Sequence, residues 1–300
     1  MNNLAPIALF VYNRPAHTRK TVESLKKNIL AQESDLFIFA DGAKSEKDEK
    51  AVQQVANYVE TVTGFKSITI IKQEKNLGLA NSIIKGVSQL SKTHGKFIVF
   101  EDDLLCSPYT LSYFNDALEL YKNEERVFHV SASMFPLKLT ADLPETFFYR
   151  VAHSWGWASW QRAWDKFNPN IDDLMAQFDQ QKIKDFSIDH KMNFWKQMKD
   201  LKAGKNNSWA IRWYASIFLN KGLSLNPTRS LINNIGHDGT GVHSNIEDIY
   251  DVAIYKNRIT EFPLEIVENK SMYNLVKTFY AHRKGSWWDR GIRFLRQKIG

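Results

Sequence analysis

Phe97-Ile98-Val99-Phe100-Glu101-Asp102-Asp103 is the stretch that decides how this chain folds. An apolar run that stops at three consecutive acids has the composition of a strand buried on both faces. It delivers carboxylates to the edge of a sheet, where open α/β folds place their ligands. Adjacent carboxylates repel one another, a cation relieves that repulsion, and hard oxygen donors suit Mg²⁺ or Mn²⁺. A solvated acidic turn ahead of a helix is the competing reading, because Ser107-Pro108 has the form of an N-cap followed by proline at the first helical position. The rest of the chain has to choose between the two.

On the N-terminal side the sequence alternates strand and helix. Ile7 to Tyr12 is apolar, and Asn13-Arg14-Pro15 then turns into a helical stretch, Thr18 to Lys27, with Val22 and Leu25 on one face. Leu36 to Ala40 reads as a second strand ending at Asp41-Gly42. Ser45 to Asp48 opens a helix with a capping-box pattern, and Val52, Val55, Val59 and Val62 follow at helical spacing. Ile68 to Ile71 is a third strand; after Asn76-Leu77-Gly78 a helix carries Ile83, Ile84, Val87 and Leu90. Beyond the acids, Leu111, Phe114, Leu118 and Tyr121 form the stripe of another helix before Val127 to Val130 returns as a strand. This alternation predicts a mostly parallel sheet with crossover helices on both faces and a ligand site at the carboxyl ends of its strands. Asn13-Arg14, Asp41 and the acidic triplet then meet on one rim. Asp-Gly after a strand is also ordinary turn chemistry, but polar groups at three strand ends fit a nucleoside diphosphate. A carboxylate can accept base N–H or ribose hydroxyls, Arg14 can stack on or bond to a base, and a cation on the triplet can bridge a diphosphate.

Bulk properties agree with a globular reading. Three hundred residues with 43% hydrophobic content suit one large α/β domain with additions, or two small ones. The single Cys106 excludes an intramolecular disulfide framework and fits a reducing compartment. No basic segment precedes the first apolar residues, and Pro6 to Tyr12 is too short for a signal-peptide core or a membrane span. The net charge of +7 is concentrated at one end, where Lys277, Arg283, Lys284, Arg290, Arg293, Arg296 and Lys298 face only Asp289. The remainder is near neutral, which argues against a broad nucleic-acid surface.

After Ser131 the pattern changes. Trp155, Trp157, Trp160 and Trp164 fall within ten positions, and the spacing of the last three predicts one side of a helix. Trp160 and Trp164 are expected in a core or between subdomains. Trp155 and Trp157 flank Gly156, and an indole face stacks well on the apolar side of a sugar, so these two are the candidate acceptor residues. Asp172 to Lys205 is polar and helical, Trp209 to Leu219 a buried helix, and Leu223 to Leu225 and Leu231-Ile232 short strands. Asn234 to His243 contains three glycines, two histidines and Asp238, without the Walker spacing or lysine. It reads either as an exposed turn or as a lid that lends His243 to metal or phosphate. At the C-terminus Trp288, Ile292, Leu295 and Ile299 make an apolar helical stripe beside the arginines. That pattern suits an interfacial helix on anionic lipid, or a helix docked on the domain.

Together, Phe10-Val11-Tyr12-Asn13-Arg14-Pro15, the strand end Asp41-Gly42, Asn76-Leu77-Gly78-Leu79-Ala80-Asn81 and Phe100-Glu101-Asp102-Asp103-Leu104 resemble the nucleotide-sugar half of GT-A glycosyltransferases of the family 2 kind. Glu101 to Leu104 through Pro108, Tyr113-Phe114, Val130-Ser131-Ala132 and Gly156-Trp157 are also similar to N-acetylglucosaminyltransferase I. The likeness covers about residues 5 to 165 and returns weakly at Gly241-Val242-His243. It implies that Asp41 contacts uracil or ribose, that Arg14 lies by the base, and that Asn76 and Asn81 help form the sugar-nucleotide pocket, with Asn13 among the donor-binding residues. It further implies that Asp103 ligates Mn²⁺ or Mg²⁺ while Glu101 and Asp102 touch ribose or donor sugar. Inverting members deprotonate the acceptor hydroxyl with a carboxylate. Where many relatives place that acid, this chain has Asn206-Asn207-Ser208-Trp209-Ala210, so the base is nominated elsewhere, at Asp238.

The expectation is therefore a GT-A (Rossmann-like) α/β fold. Residues 1–131 form the nucleotide-sugar half, 132–250 the acceptor half with the glycine-rich lid, and 251–300 a C-terminal extension with the basic amphipathic helix. The expected activity is metal-dependent, inverting transfer of a hexosyl or N-acetylhexosaminyl group from a UDP-type donor to a glycan or lipid-linked acceptor. The expected setting is bacterial surface polysaccharide synthesis, in the cytoplasm and peripheral on the inner face of the membrane. Two alternatives stand: a nucleotidyltransferase, which should show a Gly-rich, Lys-bearing loop early in the chain, and a non-catalytic glycan-binding protein that keeps the fold.

Overall fold

The computed structural model describes residues 4–138, 143–237 and 250–282. In chain order the elements begin β1 (Ile7–Val11), α1 (Pro15–Lys26), β2 (Asp35–Ala40), α2 (Glu46–Val59), β3 (Ser67–Lys72), α3 (Leu79–His94), β4 (Lys96–Glu101), β5 (Leu104–Cys106) and α4 (Thr110–Leu120). They continue with β6 (Val127–Ser131), β7 (Thr146–Tyr149), β8 (Trp157–Trp160), α5 (Gln161–Trp164), α6 (Ile171–Met175), α7 (Gln180–Phe186) and α8 (Phe194–Lys202). The last are α9 (Trp209–Leu219), β9 (Leu223–Pro227), β10 (Ile232–Asn234) and α10 (Lys270–His282).

Eight strands form one sheet in the order β3-β2-β1-β4-β8-β6-β9-β7. The first four are mutually parallel, β8 runs antiparallel between β4 and β6, and β7 is an antiparallel edge on β9. This is the mostly parallel α/β sheet expected from the alternation. It runs without a break across residue 131, so strands from both sides of that position share one sheet. Among the described residues, no helix is long and apolar enough to cross a membrane.

The central strand shows why the apolar run had to be continuous. Ile98 and Phe100 pack on one face with Val22 and Leu25 of α1, Val55 and Val59 of α2 and Leu111 and Leu118 of α4. Phe97 and Val99 pack on the other with Ile83, Val87 and Leu90 of α3 and Trp213 of α9. The four apolar side chains of β4, Phe97 to Phe100, are buried to within 1%. Each contributes roughly 1.5–3 kcal/mol, which polar alternation on either face would forfeit. A third cluster, built around Tyr149, Phe186, Ile211, Tyr214, Met272 and Val276, joins β7 to α6–α10.

Three local expectations are corrected. Residues 157–160 are a strand, not a helix: Trp157 points into the cluster on the α3 face and Trp160 into the opposite one, as a separation of three along a strand requires. The helix after the acids starts at Thr110, not at Ser107-Pro108, because Leu104–Cys106 is drawn into a two-stranded sheet with β10 and a turn follows it. Trp157 is fully buried. It stacks at 5.3 Å on Trp209 and at 5.3 Å on His129, so its indole faces belong to the core and not to an acceptor sugar.

Candidate functional site

The site begins where β1, β2 and β4 end side by side. Phe10 pairs with both Phe39 and Glu101, so the residues that follow, Tyr12 to Arg14, Asp41-Gly42 and Asp102-Asp103, share one edge. Two small networks are built there.

The first is centred on Asp41, which is 8% exposed. One carboxylate oxygen accepts the Gly42 and Leu77 amides at 3.0 and 2.8 Å, and the other accepts the Gly78 amide at 2.9 Å and Asn76 Nδ2 at 3.1 Å. Asn76 also donates to the Gly42 carbonyl at 2.8 Å. These bonds use all four acceptor positions of the carboxylate. Asp41 therefore folds the 76–78 loop over the strand end and onto the start of α3. Gly42 is required by this closure, since a Cβ there would stand 2.7 Å from the Lys75 carbonyl carbon. Asn81 lies at the edge of the same loop, donating to the Leu77 carbonyl at 2.9 Å. Asn13 turns to Asp48, donating at 3.0 Å to a carboxylate that also accepts from Ser45 Oγ at 2.9 Å.

The second network holds the acids. Asp102 accepts the Tyr12 amide at 3.3 Å, and the Arg14 guanidinium donates to Asp103 Oδ2 at 3.1 Å with its other terminal nitrogen 2.8 Å from His17 Nε2. Arg14 and Asp103 keep 13% and 18% of their side-chain surface exposed, so the pair is shielded but reachable. Burial raises the pKa of all three acids. Glu101 is pushed well above the carboxylate range by burial and then by the charges of Asp103 and Asp102. Asp102 is pushed to about 7 by burial and by Asp103. Asp103 is raised by burial in spite of Arg14. One guanidinium does not balance three crowded carboxylates, and added positive charge would be favoured.

The segment that covers these acids was only partly legible in the sequence. β10 pairs antiparallel with β5, Leu104 opposite Asn234, and the Ile235 amide donates to the Asp103 carbonyl at 2.9 Å. This places Gly236 against the carboxylate: a Cβ there would lie 2.1 Å from Asp103 Oδ2. His237 follows, close enough for its charge to favour the ionised form of Asp103. Its ring sits 5.2 Å from Trp155 and 5.9 Å from Tyr250, and its Nε2 is buried without a hydrogen-bond partner among the described residues.

The structure thus brings Arg14, Glu101, Asp102, Asp103 and, through His237, Trp155 to one place. Asp41, Asn76 and Asn81 form an adjoining patch. His17, Gly236, His237 and Tyr250 were not singled out in the sequence, although Gly236-His237 lies within the glycine-rich stretch Asn234 to His243 that was. Asp238 and His243 lie outside the described residues, as does the basic segment from 283 onward. Among the described residues, no group of three or more His, Cys, Asp or Glu side chains is arranged to hold a metal ion. The chemistry of the donors nonetheless fits a hard cation. Asp103 offers carboxylate oxygen beside two crowded acids, and the unpartnered His237 Nε2 is nearby.

Among the solved structures similar to this chain are three described in turn. The mannosyltransferase PcManGT of Pyrobaculum calidifontis, in complex with GDP-Man and Mn²⁺, is 12% identical over 72% of this chain and 70% of its own, with a TM-score of 0.40. TarS of S. aureus is 16% identical over 47% of this chain and 24% of its own, TM-score 0.31. A UDP-glucose pyrophosphorylase complexed with UDP-glucose is 12% identical over 75% of this chain and 90% of its own, TM-score 0.34. No curated protein sequence matches. Residues 7–125, the segment that carries Arg14, Asp41 and the three acids, match the family model for glycosyl transferase family 2.

Proposed function

We propose that this chain is a glycosyltransferase that moves a sugar from a nucleoside-diphosphate donor to an acceptor hydroxyl. The observation that carries the reading is the Glu101-Asp102-Asp103 cluster at the sheet edge, clasped by Arg14 and covered by Gly236-His237, within the segment that matches family 2. Asp103, with His237 as a second donor, would hold Mn²⁺ or Mg²⁺. When bound, such a cation neutralises the departing diphosphate. Arg14 supplies a permanent positive charge at the same rim, and the Asp41-anchored 76–78 loop shapes the wall beside it.

The donor is proposed to be of the UDP type and the transfer inverting, with a hexosyl or N-acetylhexosaminyl group moved to a glycan or lipid-linked acceptor in bacterial surface polysaccharide synthesis. The narrower likeness to N-acetylglucosaminyltransferase I rests on the Glu101–Leu104 stretch and the residues quoted with it. Asp238, next in sequence to His237, is the proposed base; contact with the inner membrane surface is proposed for the basic C-terminal segment. A nucleotidyltransferase is disfavoured by the β1–α1 connection, which spans only Tyr12 to Arg14 and has neither a glycine-rich loop nor a lysine. A non-catalytic glycan-binding role draws support from the start of α9. There Ser208 caps the helix by accepting the Ile211 amide, at the place where many relatives carry the acid.

A panel of UDP- and GDP-sugars, each with and without Mn²⁺, read by thermal shift and then by turnover of labelled donor, tests the proposal. At least one nucleotide sugar should raise Tm in the presence of the cation and be turned over. No shift with any of them would overturn the reading. A shift without turnover in a broad acceptor pool would favour the binding role.

A further inference from the structure

On the acceptor side of His237 lies a cavity of about 310 Å³, enclosed by the 151–155 segment after β7 and by α8, α9 and α10. Its volume is at the lower end of small-molecule sites. Phe135, Trp155, Phe194, Tyr214 and Tyr250 give it aromatic walls. Trp155 and Tyr250 are also the rings beside His237, at 5.2 and 5.9 Å, so these two rings and His237 stand between the cavity and the carboxylate cluster.

The character of the lining limits what can enter. None of the described residues around the cavity is Asp, Glu, Lys or Arg. His153 does not supply a charge either: its Nε2 is held by Tyr149 Oη, and burial depresses its pKa to about 4. Among the described lining residues, an anion or cation finds no counter-charge to offset the hydration it gives up. A purely apolar chain would fare little better, because it would dehydrate polar groups that have no other bond. Ser154 Oγ has no hydrogen-bond partner among the described residues, and Gln197 uses its amide nitrogen on Asn193 at 3.3 Å, leaving its carbonyl oxygen without one. Aromatic faces with a few uncommitted donors and acceptors suit a ring with one apolar face and hydroxyls around its edge.

We infer that this cavity binds the terminal ring of an uncharged saccharide, and that the acceptor is selected here for the absence of charge. The assignment as an acceptor site rests on the transferase reading; the binding itself does not. The ring stacks on Trp155 or Phe194, bonds to Ser154 and Gln197, and leaves a hydroxyl near the His237 side of the cavity.

The test measures binding to the full-length protein of lactose, cellobiose and N,N′-diacetylchitobiose against a glucuronate-bearing disaccharide and against farnesol. Saturation-transfer NMR and tryptophan fluorescence are the readouts, with UDP-sugar and Mn²⁺ titrated separately. At least one neutral disaccharide should bind and the other two classes should not. Ala210→Phe, which fills the cavity from α9, should weaken that binding about tenfold or more while leaving donor affinity within about twofold. Gln197→Ala should weaken it several-fold, and serves if the larger side chain prevents folding. Equal binding of the anionic disaccharide, binding of farnesol alone, or neutral binding insensitive to both substitutions would overturn the inference. Donor binding without any neutral saccharide binding would also overturn it. Cavity-dependent saccharide binding with no donor binding would support the inference and remove the transferase reading instead.

Discussion

Replacing Gly236 by alanine is the mildest change that should disable the proposed donor site. The backbone at Gly236 is not in the left-handed region, so alanine brings no conformational strain, and the effect comes from one added methyl group. That carbon would stand 2.1 Å from Asp103 Oδ2 and 2.9 Å from Asn234 Oδ1. Asn234 Oδ1 already accepts the Gly236 amide at 2.7 Å and has little room to retreat, so Asp103 has to rotate. Rotation breaks its 3.1 Å bond to Arg14. A charge-assisted bond of this kind is worth roughly 1.5–3 kcal/mol, and the loss should appear as a lower urea midpoint with an unchanged m-value. If Asp103 is also the cation ligand, cation-dependent nucleotide-sugar affinity should fall by the same order, roughly tenfold to a hundredfold by calorimetry. A Gly236→Ala protein that keeps wild-type donor affinity would show that the Gly236–Asp103 approach has no part in binding.

Other expectations follow from buried polar groups at Asp41 and His129. Asp41→Asn keeps the shape but turns an amide toward two of four donors; the unfolding free energy should drop by ~2–4 kcal/mol, and an unchanged denaturation curve would show that the 76–78 loop does not depend on that carboxylate. His129 accepts Trp213 Nε1 at Nδ1 (3.1 Å) and donates from Nε2 to the His153 carbonyl (2.9 Å), an arrangement open only to the neutral ring, and burial lowers its pKa to about 3. Its folded pKa lies below the unfolded value of about 6.5, so it withdraws stability as pH falls through that value, by about 2 kcal/mol between pH 7 and 5. His129→Phe should therefore lose about 2 kcal/mol less than wild type over that interval, and parallel pH profiles would contradict the assigned ring state.

The parts of the fold that could be read from sequence were those with a strong period. β1 to β4 and α1 to α4 followed from apolar runs and from stripes such as Val55–Val59 and Ile83–Val87–Leu90, because burial on two faces or on one stripe leaves a pattern in the chain. Trp157, Trp160 and Trp164 misled because their separations fit a helix face. A strand with both sides buried places tryptophans at any spacing, and only the pairing of β8 with β4 and β6 resolves it. At the site, Arg14 and the acids were legible as polar residues at strand ends. A short strand at Leu231-Ile232 was legible, but its pairing with β5 was not, because no local pattern joins two three-residue strands far apart in the chain, and with that pairing went the roles of Gly236 and His237. Asp41 was found, but its four internal bonds depend on where the 76–78 loop crosses, which no spacing reveals.

Mn²⁺ binding by wild type and by Asp103→Asn, followed by electron paramagnetic resonance with and without UDP-sugar, bears most directly on the proposal that the acidic rim holds the donor through a cation. The account predicts that wild type depletes the free-ion signal, more so with donor present. The Asp103→Asn substitution, although close to isosteric, should depress that uptake at least tenfold while the protein stays folded. Equal Mn²⁺ uptake by both proteins, or donor binding indifferent to the ion, would contradict it.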